Sequence, residues 1–537
     1  METISIKKNK FLEFFFIACI FFVLLVAFWN NGYAYPDSEE EIYIKGQQIA
    51  QGLFLYKDIA CQHMPLMYFI AAFFCYMGVT TITGFRLCFY ALMALIWSGT
   101  YMYYKDVFGR KVMVLYPIVY MGAIVTMYGG TCILCEQFQG QGEAILFFAL
   151  LKFAEDFEIK LKDCIIISFA IFISFGNAFV AIFAIFFVAL TVLVLEIRKC
   201  RNEQLSFFEI VIYLAEKYIV LFIMIAIPWI VLLLYFVYTK TLYAFYSWAY
   251  VLNREVYPKY TMGYGGGILS GLFGGISNIG KSANETGVIT FQTIRAFVLV
   301  LLSILYLDNF YKKKRDVILT GGVILFFVGV ASRGAFNNIH GLPACELISI
   351  MAVFYLQDLY PKLPRTQKQR VINIGCLLVF FSGYIGVSGN IFHITTDRIA
   401  MDNIDAYYQR RLEDTIDMLA EDGERVGFSI LNYDILMNAK VTPASVTGGS
   451  CPWLWEWGGE QAMSELETNP PNLFLYNPNQ NTWGYPILDY AYDLDNFIQQ
   501  NYTNMGDIAG LSLLYVRNDI YTDVHAQVRQ MYVHEIN

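Results

Sequence analysis

The chain has 537 residues, of which 57% are hydrophobic and 17% aromatic, with only 15% charged and a mean hydropathy of +0.48. A soluble domain carries about 25% charged residues, so the composition excludes a soluble enzyme and defines an integral membrane protein. The net charge of −8 is unevenly spread: from residue 393 onward 7 Lys and Arg face 21 Asp and Glu, a net of −14 that leaves +6 for the rest.

Segment 11–29, FLEFFFIACIFFVLLVAFW, approaches the ~20 apolar residues that cross a bilayer. Lys7, Lys8 and Lys10 precede it, which places the N-terminus in the cytoplasm. A cleaved signal peptide is the rival reading, but the run is long and NNGYAYPDS offers no small-x-small cleavage site.

The first polar loop, 30–63, crowds Asp37, Glu39, Glu40 and Glu41 together and closes on His63 and Pro65. Such a run is ordinarily a solvated face. Here it directly follows the first outward helix, so its carboxylates lie at the outer surface, where they can take a proton from an acceptor or bind a divalent cation.

Further apolar stretches span 64–80, 83–104, 112–128, 143–154, 164–195 (two short passes turning at Gly176-Asn177), 211–236, 287–308, 317–332, 343–358 and 371–392. They run continuously apolar rather than alternating, which predicts helices and not the strands of a membrane barrel. Basic connectors at 105–111, 196–201, 311–315 and 361–370 mark the cytoplasmic side. The connectors 30–63, 129–142, 238–286 and 333–342 then face outward, as does the acidic tail. Counted so, there are twelve crossings, whereas an outward tail needs an odd number; the discrepancy points to 64–142.

The outer loop 238–286 contains YTMGYGGGILSGLFGGISNIG, a mobile connector or a substrate-gating loop. GYGGG follows no strand and is not a phosphate-binding loop. Most of the eleven cysteines lie in apolar runs, so no disulfide framework is implied. CILC, 132–135, lacks the second pair a zinc site needs.

Glu136 and Glu143 stand at the outer lip of the segment beginning GEAILFF. Carboxylates there are costly unless they meet water or a partner; one simply marking a helix start is the plain alternative. His63 and His340 each fall beside a proline in short outer loops, and Arg333 with His340 suits a phosphate at headgroup level, unless Arg333 only snorkels as an interfacial anchor. The tail, 393–537, reads as a helix in RRLEDTIDMLAEDGE, strands in RVGFSIL, PNLFLYN and LSLLYVRN, and a helix in LDNFIQQNY. That makes an α/β domain of ~145 residues, large enough for its own core, with no nucleotide-binding fingerprint.

Asp37-Ser38, Tyr43, Gly46, Gly52, Tyr56-Lys57-Asp58 and His63-x-Pro65 together resemble the first outer loop of the GT-C membrane glycosyltransferases. The nearest branch is the one related to protein O-mannosyltransferases and the lipid A aminoarabinose transferase. Glu136-x-Phe138 is similar to that family's second acidic position, and His340-Gly341-x-Pro343 to its H-Y-x-x-x-x-P segment, with Gly341 departing from Tyr. Ser38 replaces part of the family's acidic pair, leaving Glu39 and Glu40 as substitutes.

The resemblance implies a polytopic α-helical membrane protein of about 11–13 transmembrane helices. It divides the chain into a transmembrane catalytic domain, 1–392, and an extracytoplasmic α/β domain, 393–537. It implies an inverting transfer of a sugar from a polyprenyl-phosphate-linked donor to a lipid, glycan or protein hydroxyl at the outer face, with no nucleic-acid partner. Asp37 is then the base and Glu136 the second carboxylate, holding acceptor or metal. Glu39, Glu40, Asp58 and Glu143 are candidate supporting carboxylates. Arg333 and His340 hold the donor phosphate, and Tyr56 and His63 belong to the acceptor loop. A divalent metal on Asp37 and Glu136 is left open. A multi-pass transporter or lipid flippase is the alternative; it would carry related halves and mid-span charges, and Glu346 in LPACELISI is the one such charge that stands out. A polysaccharide polymerase or ligase is a third reading, without the outer-loop arginine clusters it normally uses.

Overall fold

A computed structural model describes residues 2–29, 36–124, 133–260, 291–331, 338–370, 405–421, 423–429 and 441–532. The membrane part is helical: α1 (Glu2–Trp29), α2 (Pro36–Ala50), α3 (Leu66–Tyr76), α4 (Ile82–Phe108), α5 (Arg110–Ile124), α6 (Cys135–Asp156), α7 (Leu161–Phe175), α8 (Ala181–Asn202), α9 (Phe207–Tyr238), α10 (Phe291–Lys314), α11 (Val317–Val330) and α12 (Leu342–Leu359). Among the described residues five helices are long and apolar enough to cross a membrane by length and composition. The turn at Gly176-Asn177 falls between α7 and α8 as the sequence predicts.

Local chemistry sets the boundaries. Thr81 caps α4, its side chain accepting from Gly84 N–H at 3.1 Å, and Gly109 ends the helix at φ 91°. Ser206 and Glu209 cap α9 reciprocally, at 2.7 and 3.4 Å. Asp316 caps α11 through Ile318 N–H and Leu319 N–H and also pairs with Arg198 of α8.

Two readings of the sequence are corrected. The loop 30–63 is not irregular throughout, because Pro36–Ala50 forms a helix that packs on α3. Its acidic run opens a helix, where the N-terminal dipole favours carboxylates. Second, the stretch 64–80 is not a crossing. Helix α3 has 11 residues, a length of ~16 Å against a hydrocarbon core of ~30 Å. Gly46 lets it pack closely and parallel to α2, since a Cβ there would stand 2.4 Å from Ala71 Cβ, while Lys45 sits over Tyr68 and Ile49 O accepts from Tyr76. Without this stretch eleven of the twelve apolar stretches read in the sequence remain, one of which, 371–392, lies outside the described residues.

Ion pairs gather at the end of the bundle that carries the basic connectors. Lys105 meets Glu13, Lys152 meets Asp163 at 2.7 Å, Lys313 meets Asp358 at 2.5 Å, and Lys314 meets Glu155. Glu136 and His340 lie at the opposite end.

The tail contains α13 (Asp405–Leu419), β1 (Arg425–Phe428), β2 (Thr442–Pro443), α14 (Pro452–Thr468), β3 (Leu473–Leu475), α15 (Tyr492–Asn501), β4 (Tyr502–Asn504), β5 (Leu514–Arg517) and α16 (Tyr521–Met531). The sheet runs β2-β1-β3-β5-β4, parallel from β2 to β3 and antiparallel beyond. Phe428, Phe474, Leu514 and Val516 are buried in it. The sequence shows β1, β3 and β5 but not α14, whose Trp-rich start has no clear period. Ala60 N–H donates to Val446 O at 2.8 Å, so the tail sits at the same end as the α2–α3 connection.

Candidate active site

The first part of the site is built where α6 begins. Gln137 closes the entry to the helix, its Oε1 accepting from Leu134 N–H at 2.8 Å. Glu136 follows in the first turn, 2% exposed. His340 approaches from the one-turn segment Asn338–Gly341 that precedes α12, and its Nδ1 lies 3.0 Å from Glu136 Oε1. Cys135 Sγ is 3.1 Å from the other carboxylate oxygen.

The close approach of α6 to α12 depends on Gly140, one turn below Glu136. A Cβ there would lie 2.9 Å from Glu346 Oε2 and 3.1 Å from Pro343 Cα. Glu346 itself is fully buried; its Oε1 accepts from Trp97 Nε1 at 2.9 Å, and Oε2 has no hydrogen-bond partner among the described residues. Glu143, 1% exposed, accepts from Gln139 Nε2 at 3.0 Å. It lies deeper on the Glu136 face of α6, since helical residues four and seven apart share a face.

The second part lies on α2 and the following loop. Lys45 Nζ donates to Glu41 Oε1 at 2.5 Å, one helical turn apart, and sits 5.6 Å over the Tyr68 ring. Burial alone would push the Glu41 carboxyl up, but the Lys45 ammonium, the His63 ring and the hydrogen bond from Lys45 together hold it below its usual value. Burial likewise works to lower Lys45, and the Glu41 carboxylate outweighs it, raising the ammonium above its ordinary value. His63 thus stands within electrostatic reach of Glu41. Burial raises the thiol of neighbouring Cys61.

The loop between α2 and α3 is tightly held. Tyr56, 1% exposed and at φ 70°, donates its hydroxyl to His63 O at 2.7 Å and packs its ring on Phe236 and Phe245. Asp58 Oδ2 accepts from Phe54 N–H at 2.8 Å, closing the turn. In this geometry Tyr56 and Asp58 shape the loop, and His63 is the member nearest a charged partner.

The structure therefore brings Glu136 to His340, and Glu41 and Lys45 to His63. Asp37, Glu39 and Glu40 lie in the first turns of α2, their side chains outside the described set, and Arg333 falls outside the described residues. Lys45 went unnoticed in the sequence, and Cys135 was weighed there only as part of CILC. Lys45 could have been found, because Glu41 and Lys45 are spaced i,i+4 on a helix. Among the described residues no three His, Cys, Asp or Glu side chains gather as a metal site.

Between α6, α7, α8 and α9 runs an apolar cavity of about 770 Å³, lined by Leu146, Phe153, Ile171, Phe175, Ile182 and Trp229 among others. Lys152 and Asp163 stand at its inner end. Its opposite end adjoins the α2–α3 loop, because Leu66 N–H, just after His63, donates to Gly176 O at 3.0 Å.

The architecture is thus an alternating helical bundle with a short helix pair at one end and an α/β tail over the same end. It is similar to ArnT from Cupriavidus metallidurans bound to undecaprenyl phosphate, with a TM-score of 0.51 over 83% of this chain and 88% of that one, at 12% sequence identity. The apo state of the same ArnT aligns with a TM-score of 0.49, 11% identity, and 84% and 91% coverage. At such identity the likeness establishes the fold. No protein-family model matches the chain, and no curated protein matches it.

Proposed function

We propose that the protein is an inverting glycosyltransferase that moves a sugar from a polyprenyl-phosphate-linked donor to an acceptor hydroxyl at the outer face of the membrane. The observation that carries this is the buried Glu136–His340 pair, set at the outer end of a GT-C-like bundle that also holds an apolar cavity between α6, α7, α8 and α9. ArnT in the similar structure is bound to undecaprenyl phosphate, a lipid whose long apolar tail matches the chemistry of such a cavity.

In the reaction the acceptor oxygen attacks the anomeric carbon as the bond from that carbon to the phosphate oxygen breaks, and the phosphate leaves with the electron pair. The acceptor proton passes to a carboxylate, assigned to Asp37. Glu136 fixes the His340 ring through Nδ1, and His340 with Arg333 meets the leaving phosphate, where developing charge needs fixed donors. Glu41 and Lys45 hold α2, and with it Asp37, against α3. His63 and the Tyr56 loop border the acceptor side. A divalent ion held by Asp37 and Glu136 would add charge stabilisation at the phosphate. The tail, 393–537, lies extracytoplasmic in this reading, consistent with eleven crossings from an inner N-terminus, and every assigned group precedes residue 344.

The test is release of undecaprenyl phosphate by purified protein in nanodiscs, supplied with undecaprenyl-phosphate-linked hexoses and pentoses and an envelope extract as acceptor. A transporter is the second reading, favoured by one observation: the fully buried Glu346 inside α12. Solute or lipid movement without release would decide for it.

A further inference from the structure

One surface of the tail is built for flat contact. Trp453, at the start of α14, and Trp483 stack with centroids 4.6 Å apart and planes at 29°. Tyr257 meets Trp453 at 5.3 Å, and Tyr260 meets Tyr485 at 5.1 Å. Trp483 keeps 43% of its surface exposed, and Tyr257, Tyr260 and Tyr485 are half-buried.

The conformation of Trp483 is a second observation. It has φ 55° and is followed by Gly484 at φ 92°, in the turn joining Asn481–Thr482 to Tyr485–Pro486. Two positive φ angles in a two-residue hairpin turn call for Asn-Gly, and a bulky aromatic side chain is strained there. Asn481 Oδ1 holds the turn by accepting from Gly484 N–H at 2.7 Å. Strain of this kind is retained where the side chain has a task.

Beneath it the indole groups differ. Trp455 Nε1 donates to Asp493 and Trp457 Nε1 to Ser247, each at 3.1 Å, whereas the buried Trp453 Nε1 has no partner among the described residues. Polar groups rim the rings: Asn481 is exposed, and Lys259 and the Tyr260 hydroxyl both bond Glu456. The platform is also continuous with the candidate active site. Cys451, two residues before Trp453, lies within electrostatic reach of Lys45, and Val446 pairs with Ala60.

We infer that Trp483, backed by the buried Trp453 and flanked by Tyr257, Tyr260 and Tyr485, forms a stacking platform for the sugar rings of a saccharide acceptor, an inference that rests on the transferase reading. The C–H faces of a pyranose lie flat on aromatic rings, which bury apolar area with little loss of side-chain freedom. Its hydroxyls then meet Asn481, Glu456 and Lys259 at the rim. The acceptor of this enzyme is accordingly a glycan.

The test uses the full chain in nanodiscs and follows tryptophan emission during titration with chitotetraose, mannotetraose and maltotetraose. Trp483→Asn is the variant of choice, because Asn suits a positive φ and the fold is kept. At least one saccharide should bind the wild type saturably and bind Trp483→Asn about tenfold or more weakly, as loss of a central aromatic anchor predicts, with undecaprenyl phosphate binding unchanged. Failure of all three to bind, or equal binding by the variant, overturns the platform. Quenching of Trp483 by brominated phospholipid chains assigns the ring to the membrane interface and overturns it too. A wild type that binds saccharide through Trp483 but not undecaprenyl phosphate would support the platform and overturn the transferase reading.

Discussion

His340 Nδ1 and Glu136 Oε1, 204 residues apart in the chain, lie 3.0 Å apart at the end of the helical bundle away from the basic connectors. Residues acting as one unit give non-additive losses. Glu136→Gln and His340→Ala should each lower turnover by ~100-fold to 10,000-fold, and the double variant should be little worse than either. Steady-state kinetics with thermal unfolding of all four proteins checks this. Fully additive losses would mean the two act separately.

Gly140 permits that contact. Gly140→Ala would drive a Cβ to 2.9 Å from Glu346 Oε2 and 3.1 Å from Pro343 Cα, pushing α6 from α12. Overpacking of this kind costs about 1–3 kcal/mol, yet the expected drop in turnover is larger than the fall in Tm implies, because the Glu136–His340 distance opens. Gly321→Ala, where a Cβ meets nothing within 4 Å, is the control and should stay near wild type.

The Glu41–Lys45 pair predicts a pH dependence. Glu41 is held below its unfolded value of about 4.3. Its contribution is therefore present above that pH and lost as pH falls through the lower folded value. Lys45 is raised above about 10.4, so its contribution is present below that pH and lost as pH rises through the higher folded value. Tm measured from pH 3 to 7 should fall toward acid in the wild type, and Glu41→Gln should flatten that limb. An identical slope in the variant would show that other carboxylates govern it. Lys45→Met, which strands the carboxylate, should cost about 1–3 kcal/mol at neutral pH.

Much of this arrangement was legible in the sequence. Continuous apolar runs placed α4, α5 and α7 to α12, and the turn at Gly176-Asn177, because a buried or lipid-facing helix needs no polar face. Helices α2 and α3 were not legible as a pair: the first is too polar and the second apolar enough to pass for a crossing, and only the fit of Gly46 against Ala71 shows that they pack together. Glu136 and His340 were each singled out, but a contact across 204 residues has no local signature. Trp483 was invisible because a turn sequence of Thr-Trp-Gly-Tyr does not announce a positive φ at Trp.

Topology offers a separate check. Lys57 and Gln500 are exposed and Lys312 lies at the opposite end. In a background without reactive native cysteines, Lys57→Cys and Gln500→Cys should react with an impermeant thiol reagent on intact cells, and Lys312→Cys only after lysis. Labelling of Gln500→Cys only after lysis would place the tail in the cytoplasm and remove it from the acceptor side.

The central claim is that a carboxylate at the start of α2 takes the acceptor proton during sugar transfer, and Asp37→Asn tests it most directly. The measurement is transfer from an undecaprenyl-phosphate-linked sugar by purified protein in nanodiscs, with donor binding determined in parallel. Turnover should fall by ~100-fold to 10,000-fold while donor affinity is nearly unchanged, the range general-base catalysis contributes. Wild-type turnover by Asp37→Asn, or no transfer by the wild-type protein from any donor, would contradict it.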